Sequence, residues 1–237
     1  IIYEEFLRDL QGANGRRVFQ EMSNNDPIIG AIGFAVEMPL RRARWYFEPQ
    51  GDSPVDIETA EFLDTCLDDM STTWDDFISE VLTMLPYGWS YFEKVFKLRN
   101  GVEADPPSAY DDGKIGVRKL GVRGQNTLKE WIYVSDDDDS LVGMQQMTRT
   151  GKSVDIPIEK CLLFRTRTEK GNPEGRSTLR NAYRSWYFKK NLEQLEAIAL
   201  ERHGAGYPVI YMPEDWTDED LEAAKNVVRR TRMDEQM

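Results

Sequence analysis

One histidine, His203, and two cysteines, Cys66 and Cys161, make up the whole imidazole and thiol inventory of this chain. His203 stands just before Gly204 at the end of a helical pattern. There an imidazole caps carbonyls or offsets the negative end of the helix dipole. A serine–histidine–acid triad would have to use this residue, and no strand–serine–helix elbow accompanies it. One histidine with two distant cysteines does not make a zinc site. Cys66 falls in a helical pattern and Cys161 in a strand pattern, so both read as reduced structural thiols.

Carboxylates are more plentiful, with adjacent pairs at Asp68-Asp69, Asp75-Asp76 and Asp111-Asp112 and four aspartates in a row at 136–139. Two-metal hydrolysis needs acids converging from separate elements, whereas adjacent pairs at helix ends read as caps or solvated residues. The aspartate run lacks the glycine and the twelfth-position glutamate of a calcium loop and reads as an exposed loop tip. Residues 171–177, GNPEGRS, come close to a phosphate loop. The glycines are one residue too near each other, and Arg176 stands where the lysine should be. A turn followed by an N-cap at Ser177 accounts for the segment, with a weaker anion contact near Arg176 and Arg180 as the alternative. Basic residues gather at Arg41, Arg42 and Arg44, at Arg165, Arg167 and Lys170, and from Arg176 to Lys190. Arg176, Arg180 and Arg184 step by four and would share one side of a helix. No metal and no cofactor is expected.

The chain that must position these groups has 237 residues, 40% of them hydrophobic, and a net charge of -12. Such a balance opposes a binding groove built on phosphate neutralisation, though not a surface past which DNA slides. No apolar run approaches a membrane span, and no signal peptide is expected. The chain opens on Ile1 and ends in an open helical pattern, as a fragment of a longer protein would. Helices are predicted over 3–22, broken near Gly12 to Gly15, and over 27–38. Further helices are expected after Ser53-Pro54, after Thr73 with Asp76 in a capping-box position, and after Thr217 with Asp220. Strands are predicted over 44–49, 89–98, 115–120, 129–134, 141–148, 161–166 and 208–212.

The longest element is a helix over 177–202, roughly 39 Å at about 1.5 Å per residue. Its apolar positions change sides: Leu179, Tyr183 and Trp186 form one stripe, and Phe188, Leu192, Leu195 and Ala199 a second, nearly opposite. Lys189, Lys190, Glu193, Glu196 and Glu201 face away from the second. A helix in a private core keeps one stripe throughout. This one is expected to meet one partner at its start and another further on, as a helix linking two domains or shared around a ring would.

At these residues the chain resembles the portal proteins of tailed phages, of the kind found in Mu-like phages and prophages. MSNNDPIIGAIGFAVEMPLRRARWYFEP, MLPYGWSYFEKVFKLR and the long segment from IPIEKCLLFRTR to GYPVIYMP carry the resemblance, in that order. It implies an α+β fold in which a helical and strand-rich wing (residues 1–170) is followed by a stem helix (171–205) and the start of an α/β clip (206–237). It also implies a homo-oligomeric ring, usually a dodecamer, at one vertex of the virion capsid. Double-stranded DNA would pass through it in packaging and ejection, and terminase, capsid and head-completion proteins would dock on it. Assembly would take place in the host cytoplasm, with no membrane and no enzymatic activity. Arg184, Lys189 and Lys190 are then candidates for DNA-facing or stem-contact residues, and Phe188, Leu192, Leu195 and Ala199 for subunit packing. The alternatives are another virion ring component, such as a head-tail adaptor, and a metal-dependent enzyme acting on nucleic acid.

Overall fold

A computed structural model describes residues 5–135, 140–168, 171–203, 209–211 and 215–230. The chain divides into two compact units, Ile1–Asn181 and Ala182–Met237.

The first unit opens with helices α1 (Gly12–Asn25), α2 (Pro27–Arg42), α3 (Pro54–Asp68), α4 (Trp74–Leu82) and the single turn α5 (Met84–Tyr87). Six strands follow: β1 (Trp89–Asn100), β2 (Asp111–Arg123), β3 (Leu128–Tyr133), β4 (Leu141–Met147), β5 (Ser153–Pro157) and β6 (Cys161–Arg165). They form two antiparallel three-stranded sheets, ordered β2-β1-β6 and β3-β4-β5. The central strand β1 separates two cores by simple alternation. Trp89 and Tyr91 point to one face, into a cluster with Leu128, Met144, Ile156 and Cys161. Phe92 points to the other, against Phe77, Ile78 and Val81 of α4. Ser90, on this second face, is tied down by its hydroxyl, which donates to the Val81 carbonyl (3.0 Å).

The cap signals work as chemistry demands. Asp26 accepts from the Ile28 and Ile29 amides, Ser53 from Asp56 and Thr73 from Asp76, each at the start of a helix. A buried ion pair braces the far end of the first unit. Lys97 meets Asp69 at 3.0 Å with both side chains 5% exposed, and Ser108 and the Ala109 amide donate to the same carboxylate. Burial alone would raise the Asp69 carboxyl, yet these donors and the ammonium hold it below its ordinary value. Both cysteines are free and buried.

Several sequence expectations change. α1 begins only at Gly12, because that residue takes φ +51° and Gly15 packs on Leu10; a Cβ on Gly15 would lie 2.2 Å from the Leu10 carbonyl oxygen. What precedes it, over Arg8–Leu10, is a 3-10 turn. α2 continues through Pro39 to Arg42, since a proline so near the end removes one helical hydrogen bond and no more. Residues 44–49 are not a strand: the Phe47 amide donates to Asp64 (3.1 Å) instead of a ladder, and Trp45 meets Trp74 edge-on. β5 had no expectation; its hairpin with β4 pairs Gly143 with Pro157 through Met147 with Ser153.

The second unit contains α6 (Tyr183–His203) and α7 (Asp218–Arg230). Thr217 and Asp220 complete the expected capping box: Asp220 donates its amide to the Thr217 hydroxyl oxygen (3.3 Å), and its carboxylate accepts from the Thr217 amide (3.1 Å). Residues 209–211 are not in a strand. The rest of the 208–212 expectation, the aspartates at 136–139, Gly204, Gly206 and the His203 side chain lie outside the described residues.

Candidate functional site at the long helix and the loop before it

The near-miss phosphate loop is a clasp. Gly88 ends α5 with φ +93°, its amide donating to the Met84 carbonyl (2.7 Å). Residues 174–175 lie directly against it. A Cβ on Gly88 would sit 2.5 Å from the Glu174 carbonyl oxygen, and one on Gly175 would sit 2.4 Å from that of Gly88. Only glycines allow this approach, and Gly175 also needs φ +55°. Ser177 and Thr178 then donate their hydroxyls to the Pro86 and Leu85 carbonyls (2.6 and 2.9 Å), two of the groups that a helix end leaves unpaired. Thr166 donates to the Arg176 carbonyl (2.6 Å), and Asn172 accepts the Glu174 amide (2.9 Å). Glu174 in turn accepts from the Trp131 indole (3.2 Å) and faces Arg16 (3.7 Å).

This geometry leaves no cradle for phosphate. Arg180 is held by both oxygens of Glu5, one of them at 2.9 Å, and Arg176 donates to Asn181 (3.1 Å). Burial pushes the Glu5 carboxyl up, but Arg180 and the Leu7 amide bring it below its ordinary value. It stays charged and keeps its arginine. Nothing in the local sequence announces this pair, whose members lie 175 positions apart.

The clasp also moves the start of the long helix. The Ser177 hydroxyl accepts the Leu179 amide (3.1 Å) while donating to Pro86, and the Arg180 amide returns to the Ser177 carbonyl (3.2 Å). That i to i+3 closure makes Thr178–Ala182 a 3-10 turn, so α6 begins at Tyr183 rather than after Ser177. Its 21 residues span about 32 Å. Arg176, Arg180 and Arg184 therefore share no helical face.

Within α6 the expected residues fall on two sides. Phe188, Leu192 and Leu195 are 55, 63 and 62% exposed, and Ala199 is exposed beside them. At about 100° per residue these four stay within roughly 60° of arc. Arg184 belongs with them, its guanidinium 5.7 Å from the Phe188 ring centre. Lys190 lies on the other side, its ammonium 5.2 Å from the ring of Trp186, the buried aromatic of this helix. Lys189 pairs with Glu193 one turn on (3.9 Å). The three basic candidates thus separate into one on the apolar stripe and two off it. Ile198 and Leu200, not singled out from sequence, are exposed apolar residues as well.

The acidic pairs do not assemble a centre. Asp69 is committed to Lys97, and Asp112 to Arg99 (3.0 Å). Among the described residues no group of three or more His, Cys, Asp and Glu side chains is placed to hold a metal ion. Among the same residues no helix is long and apolar enough to cross a membrane. A cleft of about 280 Å³ is lined by Glu93, Arg123, Gln146, Asp155 and Lys160 among others, and of these Glu93 is already paired with Arg123.

Solved structures share this fold. A chain of the virion of the native gene transfer agent particle superposes with TM-score 0.60 at 12% identity, covering 95% of this chain and 55% of that one. A chain of the neck of the empty particle, computed with C6 symmetry, gives 0.60 at 13%, covering 96% and 57%. One from the neck of the native particle, computed with C12 symmetry, gives 0.58 at 13%, covering 91% and 55%. The chain thus spans little more than half the length of the solved chains it matches, and at such identities the likeness is one of fold. The sequence itself matches, over residues 16–234, the family model described as the portal protein of Mu bacteriophage, and the chain belongs to that family.

Proposed function

We propose that this chain is the wing, first stem helix and beginning of the clip of a portal subunit. Residues 1–170 are the wing, 171–205 the stem and 206–237 the start of the clip. Copies close into a ring at one capsid vertex, a conduit through which double-stranded DNA enters during packaging and leaves during ejection. Terminase and then head-completion proteins dock on the exposed end. The role is structural, not enzymatic. A twelve-membered ring is the form we favour, in keeping with the C12 symmetry of one neck structure of the same fold.

The observation that carries this reading is the exposed stripe Phe188, Leu192, Leu195 and Ala199 on α6. Burying a leucine is worth about 2 kcal/mol. A helix that leaves a row of such residues in water gains that amount only by meeting another surface. In a closed ring a row of helices supplies it. Phe188, Leu192, Leu195 and Ala199 are then the packing residues between neighbouring stems, and Arg184, stacked on Phe188, is a stem contact. Lys189 and Lys190, off the stripe, face the channel. There a few cations in an acidic chain slow passing phosphates without holding them.

Electron microscopy of the intact portal polypeptide tests this directly. Closed rings with a channel of roughly 20 Å or more, the girth of a duplex, are the expected result. Monomers or dimers alone over a wide concentration range would overturn it.

A further inference from the structure

The far half of β1 is inside out. β6 pairs with β1 over Trp89–Glu93, and beyond that point β1 runs with β2 as a two-stranded ribbon. One face of the ribbon lies on α3 and the residue that ends it. Lys97, 5% exposed, donates to the Asp69 carbonyl (2.6 Å) and meets its carboxylate (3.0 Å). Arg99, 2% exposed, donates to the Thr65 hydroxyl (2.9 Å) and pairs with Asp112 (3.0 Å). Gly116, opposite Lys97, belongs to the same face: a Cβ there would lie 3.8 Å from the Cys66 sulfur. The other face carries two cross-strand pairs, Phe96 with Val117 and Leu98 with Ile115. Phe96, Leu98 and Ile115 are 57, 49 and 68% exposed.

Water sorts side chains the other way. A slip of one residue would turn Phe96 and Leu98 onto α3 and set Lys97 and Arg99 in solvent. The observed register instead buries both cations with their partners and leaves three large apolar residues wet, as suits a strand whose outer face is covered in the working assembly. The same face shows nearer the middle of β1 what a cover does. There Phe92 and Leu120 pack with Phe77 of α4. Past Lys94, which stands opposite Leu120, the face lies open.

We infer that the open face of this ribbon is a contact between neighbouring copies of the chain. The contact rests on the ring reading. Ring neighbours stay together, whereas terminase and head-completion proteins come and go, and permanent interfaces are the more apolar ones. The charge pattern agrees. Each copy carries a net charge of -12, so copies repel wherever acid meets acid. The four cross-strand pairs of this face, from Phe92 with Val122 to Leu98 with Ile115, hold one cation, Lys94, and no acid. Such a surface meets an acidic neighbour without repulsion. At these exposures Phe96, Leu98, Ile115 and the half-buried Val117 present roughly 350 Å² to water, a patch of the size that marks an interaction site but short of the ~800 Å² per partner of a stable interface. The contact therefore adds to the stripe of α6 and does not replace it.

Thiol labelling before and after assembly tests the contact. Cys66 and Cys161 are buried, so an introduced surface thiol reports selectively. Leu98→Cys in the intact portal polypeptide should react freely with a maleimide while the chain is unassembled, and about tenfold more slowly in closed rings. Rings that react as fast as the unassembled chain overturn the contact and leave the ring reading standing. Slow reaction already in the unassembled chain means that the subunit covers the face itself, and this too overturns a contact between copies. Failure of the unaltered chain to form rings overturns the ring reading, and the contact with it. Assembly gives a second readout. Phe96→Ser with Ile115→Ser should raise the concentration for half-assembly at least tenfold and leave the urea midpoint of the unassembled chain unchanged. Phe96→Leu with Ile115→Val, which keeps the face apolar, should assemble like the unaltered chain. Serines that leave assembly unchanged, or that lower the urea midpoint of the unassembled chain as a core truncation does, would overturn the assignment.

Discussion

α4 and α6 both carry large apolar residues at helical spacing, and they end in opposite conditions. α4 has nine residues and buries Phe77, Ile78 and Val81 against β1. α6 has 21 residues, and its Phe188, Leu192 and Leu195 remain more than half exposed. Hydrophobic residue type alone does not separate the two. What separates them is geometry. α4 is short, and its one face meets a strand that offers Phe92 at the right spacing. α6 carries apolar residues around much of its circumference. The first helix serves the fold, and the second, in our reading, serves assembly.

The sharpest way to break this contrast is to substitute apolar residues of each kind. Phe77→Ala should lower the stability of the chain by about 3–5 kcal/mol, the cost of a large cavity in a packed core. Leu192→Asp with Leu195→Asp should change the stability of the unassembled chain by less than about 0.5 kcal/mol and yet abolish rings. Urea denaturation and electron microscopy on the same samples separate the two effects. If the α6 pair destabilises the unassembled chain as much as Phe77→Ala does, the stripe is core and the contrast fails.

Charges repeat the contrast on a smaller scale. Lys97 and Asp69 are nearly inaccessible, whereas Lys189 and Glu193 are 39 and 63% exposed. Asp69→Asn leaves a buried ammonium unmatched and should cost about 3 kcal/mol, while Glu193→Gln should cost almost nothing. The pH dependence follows from the sign. Asp69 titrates below its ordinary 3.8 when folded, so the unfolded chain takes up the proton first. Its contribution is complete above about pH 5 and is lost as the pH falls through 3.8 towards the folded value. Urea midpoints measured from pH 7 to pH 3 should fall less steeply in Asp69→Asn than in the unaltered chain.

Many elements were legible because their signals are local. Ser53 and Thr73 in the first unit and Thr217 in the second are followed at the proper distance by acids, and each begins a helix. β1 reads from its own alternation. The start of α1 at Gly12 and the run of α2 through Pro39 are local surprises, but the other misses share one physical origin, a partner that is remote in sequence. Residues 44–49 have the composition of a strand but pair with no strand among the described residues, and Asp64 takes the Phe47 amide instead. β5 is only five residues long, and exists because β4 offers a ladder. In the candidate site the helix, its exposed stripe and its basic residues could be read, but not the pairing of Glu5 with Arg180. Nor could a sequence show that Gly88 and Gly175 touch. Gly175→Ala puts a methyl group 2.4 Å from the Gly88 oxygen on a backbone at φ +55°. The expected cost is about 2 kcal/mol, read as a lowered unfolding midpoint, and a cost near zero would mean that the clasp is loose.

The smallest effect concerns Ser177, and it probes where the two helices' fates diverge. As an ordinary N-cap, Ser177 would bond only to its own helix, and alanine would merely fray that end. In the structure its hydroxyl is shared between the Leu179 amide and the Pro86 carbonyl of the clasp. Ser177→Ala should therefore cost about 1 kcal/mol and loosen two segments together. Hydrogen exchange should quicken at Leu179 and Arg180 and also at Gly88, whose amide closes the same turn as Pro86. Faster exchange at Leu179 alone would reduce Ser177 to a local cap. Faster exchange at all three would show that the start of α6 is set by the turn that ends α5. The same turn leads directly into β1, against which α4 is packed, so the loop that fixes Ser177 also borders the strand at the centre of the core.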